Sequence, residues 1–376
     1  MSVGATVLIT FSGRAAIGYV VGVLTGLPQG IDARRIREVE QVLAKPAFDA
    51  VGAQLALWMA EEYACTRADA LRVMLAPGQR PHVRRSASDG SWELVTASSG
   101  PVDDRWVRLS KEGGEFEPSA RATRQRELMQ VLKGGPVRLS ELRATMSNIS
   151  SVVHALQKRG VVELYEQRRL RQDEATTLSS ANAPRPQNLT RGQADALAAI
   201  DKAREAAHGD VVLVDGVTGS GKTEVYLQAI EHALASGKDA IVLVPEISLT
   251  AQTVGRFRAR FGESVAVLHS RLCAGERYDQ WDLAREGVAR VVVGARSALF
   301  APVSNLGIIV IDEEHEGSYK QDGPPRYHAR EVAAKLAQLR GCALVLGSAT
   351  PSLESLGRCR AGSWRGASWT RVRMQE

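Results

Sequence analysis

The sequence predicts a doubly wound α/β domain with a parallel sheet, preceded by a small β-rich domain and a winged helix. Three patterns carry this prediction. Over 188–356, six short apolar runs (211–214, 241–244, 265–268, 291–293, 308–311 and 343–346) lack polar alternation, and helical segments lie between most of them. Such runs are strands buried on both faces, as in a parallel sheet covered by helices. Over 121–172, three short helical patterns lead into a strand, the order of a winged helix. Ahead of both, short β-like runs are closed by one helix.

Taken in order, 1–80 opens with Ala5-Thr6-Val7-Leu8-Ile9-Thr10 and, after a turn at Ser12-Gly13-Arg14, a run from Ile17 to Leu24. After Pro46, Val51, Leu55, Trp58 and Met59 recur at helical spacing within 48–63. Residues 81–120 are polar, with Ser, Gly and Asp clusters, and read as a linker. Within 121–172, Leu128, Val131 and Leu132 mark a helix ended by Gly134-Gly135, and a second runs over 139–145. The third, 147–159, puts Ile149, Val152, Val153 and Leu156 on one face before Gly160 stops it. A second linker follows at 173–187, with Ser179, Ser180, Pro184 and Pro186, and 357–376 reads as an irregular tail without helical or strand period.

The chain has 376 residues, 44% of them hydrophobic, enough for two or three domains with real cores. No apolar run approaches the ~18 residues of a membrane span, and no charged-then-apolar leader opens the chain. Cys65, Cys273, Cys342 and Cys359 form no Cys-x-x-Cys pair, which argues against zinc and suits a reducing cytosol. The expectation is a soluble cytoplasmic protein with no membrane partner. A net charge of +6 is compatible with a polyanion partner, because basic side chains release counterions from a phosphate backbone.

The chemistry starts at Gly216-Val217-Thr218-Gly219-Ser220-Gly221-Lys222-Thr223, which follows the 211–214 strand and opens a helix. That context makes it a phosphate-binding loop for a nucleoside triphosphate with Mg²⁺. The glycines let N–H groups approach the phosphates, Lys222 neutralises them, and the Thr223 hydroxyl binds the metal. The apolar strand 308–311 ends in Asp312-Glu313-Glu314-His315. An acid at that strand end sits where open α/β sheets bind ligands. Asp312 is expected to orient a Mg²⁺-bound water and Glu313 to act as general base. Ser348-Ala349-Thr350 follows the last strand and suits a sensor of the γ-phosphate, while Gln193, in Asn188-Leu189-Thr190-x-x-Gln193, suits recognition of an adenine edge. Three loops on the same side, carrying Ser248 and Thr250, His269-Ser270-Arg271, and Arg296 and Ser297, suit sugar–phosphate contacts. Tyr319-Lys320 and Arg326-Tyr327-His328 interleave aromatics with cations, as stacking on exposed bases requires.

Together, the 216–226 loop, Val244-Pro245-Glu246-Ile247-Ser248-Leu249-Thr250, Gly294-Ala295-Arg296-Ser297-Ala298-Leu299-Phe300, Ile311-Asp312-Glu313-Glu314-His315, Ser318-Tyr319-Lys320-Gln321 with Pro325-Arg326-Tyr327-His328-Ala329-Arg330, and Gly347-Ser348-Ala349-Thr350-Pro351-Ser352 closely resemble the PriA replication-restart helicases of superfamily 2. The likeness covers about 5–358 and is most specific in 188–356. It implies a RecA-like first lobe at 188–356, a domain like the family's reader of 3′ DNA ends at 1–80, and an ATP-driven 3′→5′ DNA helicase. It also implies binding to stalled forks, D-loops and single-stranded DNA, and partners among the primosome proteins and the single-stranded-DNA-binding protein. The phosphate loop, Asp312, Glu313, Gln193 and 348–350 carry over as nucleotide and coupling residues, and 318–330 as the element linking DNA to hydrolysis.

Against that family the opening strand is missing, leaving Phe11, Gly13 and Arg37 as remnants of a 3′-end pocket. The chain also ends soon after Ser348-Ala349-Thr350, before the second lobe with its arginine finger and before the zinc insert, and its tail has the pattern of an unnatural or frameshifted end. The expectation is therefore ATP and DNA binding with little or no unwinding. The alternative is a helicase- and ATPase-deficient DNA-binding scaffold for primosome assembly.

Overall fold

The computed structural model describes residues 1–374 apart from 28, 79–80, 87–88, 97–101, 112, 170, 172–185 and 187. Most of the linker expected at 173–187 thus lies outside the described residues. The chain divides into two compact units, Met1–Ser99 with Gln172–Glu376, and Gly100–Arg171.

The larger unit begins with β1 (Thr6–Phe11), which pairs antiparallel with both β2 (Arg14–Tyr19) and β3 (Gln41–Ala44). The turn between β1 and β2 has φ 51° at Ser12 and 74° at Gly13. Two left-handed residues in succession match the right-handed twist of the strands they join. α1 (Ala50–Glu62) starts at Asp49, whose carboxylate accepts the Gly52 N–H, and α2 (Arg67–Arg72) follows.

The segment 81–120 is not a plain linker. It carries a hairpin of β4 (His82–Arg85) and β5 (Trp92–Val95), and then β6 (Val102–Leu109), which belongs to the smaller unit. That unit adds α3 (Thr123–Leu132), β7 (Val137–Arg138), α4 (Leu139–Thr145), α5 (Ile149–Lys158) and β8 (Val162–Arg169), with sheet order β7-β6-β8. Its core gathers Val107 of β6 with Leu128, Leu142, Ile149, Val153 and Leu156 of the three helices. β6 was hidden in the sequence because its exposed face is charged. Those charges find partners only across the ladder, where Arg105 lies 3.3 Å from Glu166 and Arg108 2.7 Å from Glu163.

The rest of the larger unit alternates helix and strand: α6 (Arg191–Ala206), β9 (Val211–Gly216), α7 (Lys222–Ala235), β10 (Asp239–Leu243), α8 (Ala251–Phe261), β11 (Val265–Leu268), α9 (Ala274–Arg285), β12 (Val291–Gly294), β13 (Leu306–Ile311), α10 (Ala329–Arg340), β14 (Ala343–Ser348) and α11 (Leu353–Ala361). All six apolar runs are strands of one parallel sheet. Every residue of β13 is buried. One face packs Ile241, Leu243, Ile309 and Ile311 against a core continuous with Leu55 and Met59 of α1, and the other packs Val242, Ile308 and Val310 against Val225 and Ile230 of α7.

The tail is not irregular. β15 (Ser363–Trp364) turns back as β16 (Ala367–Met374), which lies parallel to β9 with Trp369 opposite Val211 and Met374 opposite Gly216. The full order is β11-β12-β10-β13-β14-β9-β16-β15. Buried Ala367 and Trp369 alternate with exposed residues, but exposed Arg371 breaks the phase, so the sequence shows no period.

Candidate nucleotide site

The chain leaves β9 and returns as β10 with β13 and β14 seated between them. That reversal opens a crevice at the C-terminal strand ends, the place where open α/β sheets take ligands. The loop 216–223 lies there. Its φ is 86° at Gly219 and 83° at Gly221, so both residues occupy the left-handed region that favours glycine. The N–H groups of Gly219, Gly221, Lys222 and Thr223 make no hydrogen bond among the described residues. Ser220 Oγ is buried and also lacks a partner there. Lys222 opens α7 and is buried; its Nζ donates to Gly216 O at 2.7 Å and lies 3.8 Å from Glu313 Oε1.

Unspent donors around an ammonium at a helix N-terminus are what a chain of phosphates needs, and an orphaned buried hydroxyl marks a place for a polar ligand. With Thr223 at the start of α7 and the Asp312 carboxylate at the end of β13, the residues present fit ATP·Mg²⁺.

Asp312 caps β13 through its N–H, which donates to Leu243 O at 2.9 Å. Two buried tyrosines hold it further. Tyr226 Oη donates to Asp312 Oδ1 at 3.1 Å, and Tyr319 Oη donates to Asp312 O at 2.6 Å. Burial, then the charge of Glu313, raises the Asp312 carboxyl above its ordinary value, while Tyr226 and Lys222 pull the other way. Burial, followed by the charge of Asp312, drives both tyrosines far above theirs. Glu313 has φ 45°, a left-handed turn that ends the strand. Its Oε2 lies 3.7 Å from His315 Nδ1, which sits 2.8 Å from Ser348 Oγ. Ser348 Oγ in turn accepts the Thr350 N–H at 3.0 Å, so the loop 348–350 is in contact with the acidic loop.

Glu314, which had no role in the sequence reading, is fully buried. Its carboxylate accepts from Arg330 Nη1 and Ser352 N, each at 2.7 Å, and from the hydroxyls of Ser352 and Ser355, each at 3.0 Å. Burial by itself would raise its carboxyl; the Ser352 N–H and Arg330 outweigh burial and hold it below the ordinary value. Tyr226 also had no role in the sequence reading; its hydroxyl occupies the space beside Gly347, where a Cβ would stand 1.5 Å from the tyrosine oxygen.

Among the other expected site residues, some are engaged within the chain and some are exposed. Gln193 forms a capping box, with Oε1 accepting Thr190 N at 2.9 Å, and its Nε2 lies 3.5 Å from Ser220 O. Its amide therefore bridges the helix start and the phosphate loop, with one donor and one acceptor site beyond these contacts. Tyr319 and Tyr327 are 1% and 3% exposed, so neither offers a face for stacking. Aromatic rings beside a sheet edge gain more from the core than from solvent. Arg296 is bound within the chain: Nη1 donates to Ser318 O at 2.8 Å and to Lys320 O, and its guanidinium lies 5.9 Å from the Tyr327 ring centre. Thr250 caps α8, accepting the Thr253 N–H, and half-buried His328 caps α10. Ser248, Ser297, Lys320 and Arg326 are exposed.

Comparison with known proteins agrees with this arrangement. Residues 190–358 match the DEAD/DEAH box helicase family, and 1–76 match the 3′ DNA-binding domain of PriA. The replication restart protein PriA of Bacillus subtilis is 46% identical over 248 residues, covering 65% of this chain and 31% of that protein. That of Synechocystis is 36% identical over 413 residues, covering 94% and 49%, and that of Haemophilus influenzae is 55% identical over 156 residues, covering 42% and 21%. The chain thus spans about half the length of these relatives or less. With a helicase lobe behind a 3′ DNA-binding domain, and a match to one relative running through nearly the whole chain, the chain belongs to the PriA replication restart family.

Proposed function

We propose that this chain binds ATP·Mg²⁺ at 216–223 and acts in replication restart as a PriA-type protein. In this reading it binds stalled forks, D-loops and single-stranded DNA, and works with primosome proteins and the single-stranded-DNA-binding protein in the cytoplasm. By family the activity is a 3′→5′ ATP-dependent DNA helicase. One observation carries the nucleotide half: the loop's free N–H groups surround a buried lysine 3.8 Å from Glu313, beside Asp312.

Lys222 would exchange two carbonyl oxygens, those of Gly216 and Val217, for phosphate oxygens. Thr223 and Asp312 would hold the metal, which when bound offsets the charge that develops on the phosphates. Glu313 is the base that would accept a proton from the attacking water. Its contact with His315, and that residue's contact with Ser348, supports a role for 348–350 in reporting the nucleotide. On the DNA side the exposed Ser248, Ser297, Lys320 and Arg326 suit phosphate contacts, with Thr250 and His328 beside them.

Steady-state ATP turnover with and without single-stranded DNA tests this. Stimulated turnover is expected, and it should disappear in Lys222→Ala. Binding of both ligands without turnover would leave a DNA-binding scaffold for primosome assembly. No ATP binding at all would sink the reading.

A further inference from the structure

We propose that Tyr226 is a positioning residue of the nucleotide site: its hydroxyl fixes the Asp312 carboxylate so that one oxygen is held and the other is left for the metal. The inference rests on the nucleotide reading above and adds to it a residue on a different element from the acid it serves.

The geometry is specific. Tyr226 lies on α7, one turn after Lys222 and close after Thr223. A single helix therefore carries the phosphate lysine, the expected metal hydroxyl and the group that orients the expected metal carboxylate. Tyr226 is 1% exposed, and its hydroxyl donates to Asp312 Oδ1 at 3.1 Å. The Tyr226 hydroxyl meets Oδ1 and not Oδ2. An ionised carboxylate accepts only, so a donor on one oxygen sets the plane and leaves the lone pairs of the other available.

β14 supplies an independent observation. Gly347 lies in a fully buried strand, where glycine is costly and usually marks the close approach of another group. A Cβ at Gly347 would stand 1.5 Å from Tyr226 Oη and 3.4 Å from Asp312 Oδ1. The glycine therefore makes the space in which the hydroxyl meets the carboxylate. A buried tyrosine needing only some acceptor would be served by a backbone carbonyl, as Tyr319 is by Leu243 O and Asp312 O. Tyr226 is bonded to the side chain instead.

Tyr226→Phe removes one oxygen and keeps the ring. The experiment measures binding of a fluorescent ATP analogue to the full chain, first in EDTA and then during a Mg²⁺ titration. In the variant, metal-free affinity should stay within about twofold, while the Mg²⁺ midpoint rises about tenfold, the usual cost of losing a group that orients a metal ligand. An unchanged midpoint overturns the proposal. So does an equal loss of metal-free and Mg²⁺-dependent affinity, which is what general loosening of the site would give. If the wild type binds the analogue and Lys222→Ala does not, those outcomes sink this inference alone. If the wild type binds no nucleotide, the parent reading fails and this one with it.

Discussion

Two loops leave the same edge of the sheet and treat their polar groups in opposite ways. In 216–223 the N–H groups of Gly219, Gly221, Lys222 and Thr223 are unspent among the described residues, and Gly219 and Gly221 hold left-handed backbone. In 318–328 the carbonyls of Ser318 and Lys320 are taken by Arg296, the aromatics are buried, and Tyr319 is bonded to the strand ends below. The first loop has the donors to receive a ligand through its backbone. The second is built as a fixed cover whose rings are buried and whose cations Lys320 and Arg326 face outward. Residue type separates the loops less well than the direction in which donors and rings are used.

The largest effect expected from disturbing that contrast is at the hinge where the second loop enters α10. Arg330 and Glu314 have side chains 7% and 0% exposed and form a buried pair. Removing one partner strands a buried charge, so Arg330→Ala should cost about 3–5 kcal/mol of stability in denaturant melts. Glu314→Gln should cost less, because the amide keeps its shape and one acceptor. The pair also sets an acid limit. The Glu314 carboxyl lies below its ordinary 4.5 when folded, so its contribution is present above that pH and is lost as the pH falls through the folded value. Melts below about pH 4.5 should therefore show a smaller gap between wild type and Glu314→Gln than melts at pH 7.

A middle effect is expected at Arg296. Its guanidinium ties two carbonyls of the second loop, and hydrogen bonds from charged donors contribute about 1.5–3 kcal/mol each when well buried. Here the side chain is only half-buried, so Arg296→Ala should cost about 1–2 kcal/mol. Limited proteolysis should then cut within 318–328 much faster than in wild type, with the phosphate loop no more sensitive than before. Equal protection of both loops would show that Arg296 does not hold the cover down.

The sheet and the phosphate loop were legible because each depends on local pattern. Six short apolar runs without polar alternation read as buried strands, and a strand leading into Gly216 to Thr223 and a helix reads as a phosphate-binding loop. Two strands escaped. β6 hides its pairing in charges whose partners lie on β8, and β16 loses its alternation at Arg371, which bonds Asp215 of the neighbouring strand. Within the candidate site, Lys222, Asp312 and Glu313 stand out in the sequence by motif and position. Tyr226 and Arg330 do not, since their roles depend on a contact with a residue on a different element. The error over Tyr319 and Tyr327 has the same origin. Aromatics interleaved with cations describe an exposed stacking surface and a buried ring with charged neighbours equally well, and only packing distinguishes the two.

The smallest expected effect on stability is at the exposed cations of the second loop, and there the two readings part most cleanly. Lys320 and Arg326 are both exposed, so Lys320→Ala and Arg326→Ala should each change stability by no more than about 0.5 kcal/mol. If the cover meets the phosphate backbone of a single strand through these groups, each substitution should weaken binding of oligo(dT) and of a mixed-sequence oligonucleotide alike. Each should also lower the slope of log affinity against log salt by about 0.7, the share of one phosphate contact on a single strand. A weakening that depends on base identity would mean that bases reach the loop after all, and the buried tyrosines would have to come out to meet them. An unchanged slope would place the strand on another face of the lobe and leave 318–328 a structural cover for the acidic loop.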